Sequence, residues 1–234
     1  MARQSCADGD EMIRLGSWQD VLADVECDAL ICDPPYSSRT HEGQRTGSSI
    51  RKPTIGYSGI TKDDAGELAA SWSTRTKKWA VIFSDHCGFQ WHEDAWTKAG
   101  WLVFAPVVMV KNNPPPRFSG DGPCLAVEFI MVARRRKRMA KADMGSRDGA
   151  YHVDVGLEGG GRTLAGRKAI GLMRAIVRDY SRPGDLVCDP FVGSGTTAIA
   201  ALSEGRRFVG SEQKAEHHAI ATARLARGYT PDLF

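Results

Sequence analysis

No two of the six cysteines, Cys6, Cys27, Cys32, Cys87, Cys124 and Cys188, stand at the C-x-x-C spacing of a zinc site or redox dithiol. Cys32 and Cys188 each end an apolar run just before an aspartate. The expectation is buried thiols in a reducing compartment, acting as small hydrophobes. His86 and His92 lack metal-binding partners at suitable spacing, so no metal site is expected and both read as structural or surface residues. Long hydrophobic runs are also missing. The longest, about Leu102 to Val110, is far short of the roughly 20 residues of a membrane span. Met1-Ala2-Arg3-Gln4 leads into polar sequence with no apolar signal core. A cytoplasmic protein with no membrane partner is expected.

A large excess of charge is absent as well: the net charge is +3. Its distribution is more informative. Residues 37–78 hold 8 Lys/Arg against 4 Asp/Glu, and residues 134–168 hold 10 against 4, so the rest of the chain is net acidic. Basic polar stretches on an acidic scaffold suit loops that meet a phosphate backbone, although a solvated charge run gives the same pattern. Hydrophobic content of 42% and charged content of 25% are ordinary for a folded protein. The length of 234 residues suits one large α/β domain or two small ones.

The pattern predicts a short amphipathic helix over 11–23 and a buried strand over 28–32. A long polar loop over 37–70 follows, then strands over 79–84, 101–110 and 125–133, the last two as an antiparallel pair. Helices are expected over 92–98, 168–180, 197–203 and 216–226, with strands over 186–188 and 207–211. This alternation argues for a doubly wound, mostly parallel α/β sheet. Trp72, Trp79, Trp91, Trp96 and Trp101 read as core or interface residues.

Two strand ends carry the chemistry. Asp33-Pro34-Pro35-Tyr36 follows the apolar run Ala29-Leu30-Ile31-Cys32. A carboxylate accepts a hydrogen bond from an amine, a proline keeps its carbonyl as an acceptor, and a tyrosine ring stacks on a planar ring. The second is Asp189-Pro190-Phe191-Val192-Gly193-Ser194-Gly195-Thr196-Thr197 after Leu186-Val187-Cys188. Glycines between a strand and a helix let a ligand approach the backbone. No Lys follows Gly195, so this is not a triphosphate-binding Walker loop. Glu212, seventeen positions after Gly195, ends the next strand and suits the two hydroxyls of a ribose.

Together the two motifs resemble the amino-methyltransferases of DNA, which use S-adenosylmethionine to methylate an exocyclic amine. The catalytic motif precedes the cofactor motif here, as in the permuted beta group. The resemblance implies a circularly permuted, Rossmann-like methyltransferase fold over residues 1–234 as one domain. Within it lie a basic loop at 37–78 and a short target-recognition insert at 134–166. It also implies double-stranded DNA as substrate, base flipping, a bacterial or phage-infected cell, a possible homodimer and a separately acting restriction endonuclease.

By the same resemblance, Asp33, Pro34, Pro35 and Tyr36 form the catalytic site, with Asp33 accepting one N–H of the amine and the Pro34 carbonyl the other. S-adenosylmethionine would be held by Asp10, Asp33, Lys168, Asp189, Phe191, Gly193, Ser194, Gly195, Thr196 and Glu212. Each has a plainer alternative: Asp10 or Thr196 as a helix cap, Asp189 as a brace of the turn, Lys168 as a solvated helix residue. The family's His-Pro-Thr-Gln-Lys-Pro-like stretch is replaced by Leu164-Ala165-Gly166-Arg167-Lys168-Ala169, of which only Lys168 matches. DNA contacts are expected from Arg45, Arg51, Lys52, Arg134, Arg135, Arg136, Lys137 and Arg138, with Arg147 and Arg162 as further phosphate candidates. Asp before Pro-Pro-Tyr leans to adenine N6. The alternatives are cytosine N4 and a DNA-binding protein without catalysis.

Overall fold

A computed structural model describes residues 12–38, 59–114, 122–136, 145–154 and 167–227. Its nine strands are β1 (Ile13–Leu15), β2 (Cys27–Cys32), β3 (Thr76–Ser84), β4 (Trp101–Val103), β5 (Val107–Lys111), β6 (Val127–Arg135), β7 (Ala150–Val153), β8 (Leu186–Asp189) and β9 (Arg207–Glu212). The helices are α1 (Trp18–Val21), α2 (Lys62–Arg75), α3 (His86–Lys98), α4 (Ile170–Tyr180), α5 (Thr196–Ser203) and α6 (Ala215–Ala226). One sheet runs in the order β1-β9-β8-β2-β3-β6-β5-β7, and β4 also pairs with β6. Neighbours from β1 to β3 are parallel, and β6 is antiparallel to β3, β4 and β5. The expected α/β sheet with an antiparallel pair is therefore present.

The apolar runs are continuous because both faces of the sheet are covered. Ala29, Ile31, Val81, Phe83, Ile130 and Val132 point to one side, against Leu172, Met173 and Ile176 of α4 and Ala198 and Ala201 of α5. The residues between them, Leu30, Cys32, Ala80, Ile82, Met131 and Ala133, point to the other, against Leu68 and Trp72 of α2 and Phe89 and Trp96 of α3. Trp72 and Trp96 are fully buried, so truncating either to Ala would cost about 3–5 kcal/mol. Trp79 and Trp101 are buried as expected, while Trp91 is half-buried. Cys27, Cys32 and Cys188 are buried free thiols, but Cys124 is exposed.

Several expected elements are revised. The stretch 11–23 is not one helix: within the described part, β1 lies against β9, Gly16 turns the chain at φ 144°, and only Trp18–Val21 is helical. The loop expected over 37–70 ends in α2, which opens with a capping box. Thr61 Oγ1 accepts from the Asp64 amide, and Asp64 accepts from the Thr61 amide at 2.8 Å. The strand expected over 101–110 breaks into β4 and β5 around Phe104-Ala105-Pro106. The helix expected over 92–98 starts earlier, at His86, where the Asp85 side chain caps it. Strand β7 lies inside the stretch 134–166, expected as a target-recognition insert.

The connectivity places the site. From β2 the chain crosses to β3 on one side, and from β8 it crosses to β9 on the other. The crevice between the carboxyl ends of β2 and β8 is thus a topological switch point, where open α/β sheets bind ligands. Asp33 follows β2 and Asp189 ends β8. Among the described residues, no helix is long and apolar enough to cross a membrane, and no group of three or more His, Cys, Asp or Glu is placed to hold a metal ion.

Candidate active site

At the end of β2, the Asp33 carboxylate is held by one oxygen and open at the other. Oδ2 lies 2.6 Å from Lys168 Nζ, whereas Oδ1 is buried and has no hydrogen-bond partner among the described residues. Burial raises the Asp33 pKa above the usual carboxylate value, and the charge of Lys168 opposes the rise. Lys168 Nζ also lies 3.0 Å from Tyr36 Oη and 3.2 Å from Glu128 Oε2. The Tyr36 hydroxyl donates to Glu128 Oε2 at 2.5 Å, and Lys111 Nζ bonds Glu128 Oε1 at 2.7 Å. Burial favours a neutral Glu128, but Lys168 and Lys111 outweigh it and hold the pKa down at about 2. Burial and the neighbouring carboxylates keep the Tyr36 hydroxyl protonated.

The chain leaving this corner is clamped as well. Asp85, at the end of β3, accepts from the Ser37 amide at 3.0 Å and from the Ser37 hydroxyl, while its other oxygen accepts from the Gly88 amide at 2.7 Å. The Ile60 amide donates to the Tyr36 carbonyl at 3.1 Å. Tyr36 and Ser37 are thus tied to β3 and to the segment that enters α2.

The corner after β8 is built differently. Gly193 and Gly195 take φ of 53° and 83°, conformations that favour glycine. A side-chain carbon on Gly195 would lie 3.3 Å from Ala221 Cα, whereas one on Gly193 would meet nothing nearer than the Phe191 carbonyl at 3.9 Å. The Gly193 side of the turn therefore has room for a ligand against the backbone. Asp189 Oδ1 accepts from the Phe191 amide at 2.8 Å, and burial raises the Asp189 pKa to about 7. Glu212 accepts from the Gly193 amide through Oε2 and from the Lys214 amide through Oε1, both at 2.9 Å. Ser194 Oγ lies 3.2 Å from Thr196 Oγ1, and Arg224 donates to the Ser194 carbonyl.

A family model for "DNA methylase" matches residues 27–223, a span that contains both corners. The chain belongs to this DNA methylase family. The family comprises N6- and N4-type DNA methyltransferases that depend on S-adenosylmethionine. The methylase is 36% identical over 206 residues to YubD of Escherichia coli (strain K12), which carries a methylase name; the match covers 85% of this chain and 82% of YubD. It is 31% identical over 141 residues to the type II methyltransferase M2.DpnII of Streptococcus pneumoniae, covering 54% and 52% of the two chains. Its fold is similar to that of M1.HpyAVI in complex with SAM, with a TM-score of 0.67, 24% identity and coverage of 92% and 98%.

Within the methylase, the structure gathers Asp33, Pro34, Pro35, Tyr36 and Lys168 at one corner and Asp189, Phe191, Gly193, Ser194, Gly195, Thr196 and Glu212 at the next. Lys168 stands against the carboxylate of the Asp-Pro-Pro-Tyr motif and is not a solvated helix residue. Asp189 does brace the turn, through the Phe191 amide. Asp10, Arg45, Arg51, Lys52, Lys137, Arg138 and Arg162 lie outside the described residues.

The arginines at the end of β6 are not brought to this site. Because β6 is antiparallel to β3, Arg134 pairs with Trp79, while Phe129 pairs with Ser84 at the catalytic end. Five residues of strand separate the two levels, about 16 Å. Arg135 donates to the carbonyls of Ser73, Thr74 and Thr76, at 3.0, 2.9 and 2.9 Å, and so closes the end of α2. Its guanidinium is thereby used within the fold. Arg147 lies over the Trp79 ring at 4.4 Å and donates to the Asp179 carbonyl at 2.7 Å. Exposed Arg136 follows β6 at the same far end.

Three site residues went unnoticed in the sequence: Glu128, Lys111 and Asp85. Each had a signal. Glu128 is a carboxylate in an apolar strand, Lys111 ends the run Val107-Val108-Met109-Val110, and Asp85 follows Ser84 at a strand end, as Asp33 and Asp189 do.

Proposed function

We propose that the methylase transfers a methyl group from S-adenosylmethionine to the N6 amine of adenine in double-stranded DNA, acting on a base flipped out of the helix, and that it belongs to the permuted beta group. The buried Asp33 Oδ1 carries this reading. It is an acceptor with no partner, at the switch point of the sheet and beside a tyrosine ring. A buried unpartnered carboxylate oxygen is costly, and an amine N–H satisfies it. With the Pro34 carbonyl taking the second N–H, the nitrogen is held with its lone pair turned out of the base plane. This is catalysis by positioning and fixed charge. Tyr36 supplies a face for the base, which must leave the stack to reach the corner. The amine sheds a proton as it gains the methyl, and Asp33 is the nearest carboxylate to receive it.

The corner after β8 fits the cofactor. Phe191, Gly193, Ser194, Gly195 and Thr196 would line its amino-acid part, and Glu212, at the carboxyl end of β9, its ribose. S-adenosylmethionine supplies an activated methyl group on sulfonium. Asp in front of Pro-Pro-Tyr supports adenine over cytosine, through the resemblance of the motif. The order of the two motifs along the chain supports the beta group.

The test is methylation of DNA followed by nucleoside digestion and mass spectrometry. N6-methyladenine is the expected product. Detection of N4-methylcytosine alone would overturn the adenine assignment.

A further inference from the structure

We propose that Glu128 is a positioning residue for methyl transfer: through Lys168 it fixes the Asp33 carboxylate with one oxygen left open, and through the Tyr36 hydroxyl it fixes the ring that meets the base. The proposal rests on the function argued above and adds a residue that lies in neither motif.

The geometry is a four-charge chain. Asp33, Lys168, Glu128 and Lys111 are linked at 2.6, 3.2 and 2.7 Å, and their side chains are 26, 11, 12 and 17% exposed. Alternating signs cancel, which is what permits these charges in a mostly buried site. Glu128 Oε2 takes both Lys168 and the Tyr36 hydroxyl. One oxygen on β6 therefore sets the position of two groups that come from distant parts of the chain. Without Glu128, Lys168 has one carboxylate partner instead of two, and the tyrosine hydroxyl loses its bond to Glu128 Oε2.

The arrangement also tunes Asp33. The groups that face it are Lys168 ahead of α4, Glu128 on β6, Tyr36 in its own corner, Asp189 at the end of β8 and Cys32 below it. Burial raises its pKa, Lys168 lowers it and Glu128 raises it. Neutralising Glu128 leaves the Lys168 charge undivided on Asp33, so Asp33 ionises at lower pH. Removing the Lys168 charge does the reverse. A carboxylate that only held the fold together would not lower kcat while leaving cofactor affinity unchanged.

The experiment is NMR titration of the 13C-labelled Asp33 carboxyl in the wild type, Glu128→Gln and Lys168→Met. It is paired with pH–rate profiles for DNA methylation and calorimetry with S-adenosylmethionine. The Asp33 titration and the acid limb of the rate profile should move down in Glu128→Gln and up in Lys168→Met, by about half a unit or more. In Glu128→Gln, kcat should fall by about 10-fold or more, with cofactor affinity within about threefold of wild type, because orientation is lost and binding is not. An unmoved titration with wild-type kcat overturns the proposal. If Glu128→Gln does not fold, Lys168→Met decides, and an unmoved Asp33 titration there overturns it. If the shifts appear but the wild type makes no N6-methyladenine, the functional reading fails and the positioning role stands.

Discussion

The two corners at the switch point use carboxylates in opposite ways. After β2, Asp33 and Glu128 are held by side-chain charges, and one Asp33 oxygen is left with no partner. After β8, Asp189 and Glu212 accept from backbone amides, and the Thr197 side chain also bonds Asp189. A charged side-chain network leaves a reactive group whose ionisation can be tuned. A carboxylate bonded to backbone amides holds a backbone shape, and burial sets its ionisation, as at Asp189. The first corner is arranged for chemistry and the second for fit.

The largest test of this contrast is Asp33→Ala. Methylation should fall by about a hundredfold or more, the range seen when a positioned polar group is lost. Methylation at the wild-type rate would break the comparison at its centre.

Acid should separate the corner after β8 from the helical layer behind it. His92 is fully buried, neither ring nitrogen has a partner, and burial lowers its pKa to about 4. The unfolded chain binds the extra proton between about pH 6.5 and 4, so this group makes stability fall as pH falls, by roughly 3 kcal/mol. Asp189 has the opposite sign. Its folded pKa is raised to about 7, so the folded state binds the extra proton between about pH 4 and 7 and stability falls as pH rises, by roughly 4 kcal/mol. The two largely cancel in the wild type. Urea unfolding of Asp189→Asn should reveal the His92 slope, and His92→Phe the Asp189 slope. Parallel curves for both variants would contradict these assignments.

Gly195→Ala tests shape alone. A positive φ and the 3.2 Å approach to Ala221 Cβ should together cost about 1–3 kcal/mol in thermal unfolding, with weaker cofactor binding. The same change at Gly193, where there is room, should affect stability less. The smallest effect belongs to the far end of the sheet. Arg135→Ala should lower stability by about 1–2 kcal/mol through lost bonds to the end of α2, and leave DNA affinity within about twofold. A large loss of DNA affinity in filter binding would instead assign it a phosphate contact.

Much of the fold was legible in the sequence where a signal is local. The buried strands β2, β3, β8 and β9 are short apolar runs with turn residues around them, and both motifs sit at strand ends. Helix α2 was missed because its apolar residues are sparse beside Ser, Thr and charged residues. Only Ala65, Leu68, Ala69, Trp72 and Ser73 are buried, and the Thr61–Asp64 capping box was the readable sign. At 101–110 a run of apolar residues concealed a break at Pro106, since hydrophobicity alone does not report where pairing changes.

By itself the sequence determined the α/β alternation, the carboxylate–proline–proline–tyrosine corner and the glycine turn, because each depends on neighbours within a few residues. The tertiary structure decided which charges meet. Lys168 lies 135 positions from Asp33 and Glu128 lies 92 from Tyr36, and only sheet order and strand direction bring them together. The same rule carried Arg134 and Arg135 away from the site. Strand β6 runs against β3, so the end that holds the arginines lies at the opposite edge of the sheet from the end that holds Glu128. The direction in which β6 meets β3, a strand far from it in sequence, is a property of the whole sheet that no local pattern records.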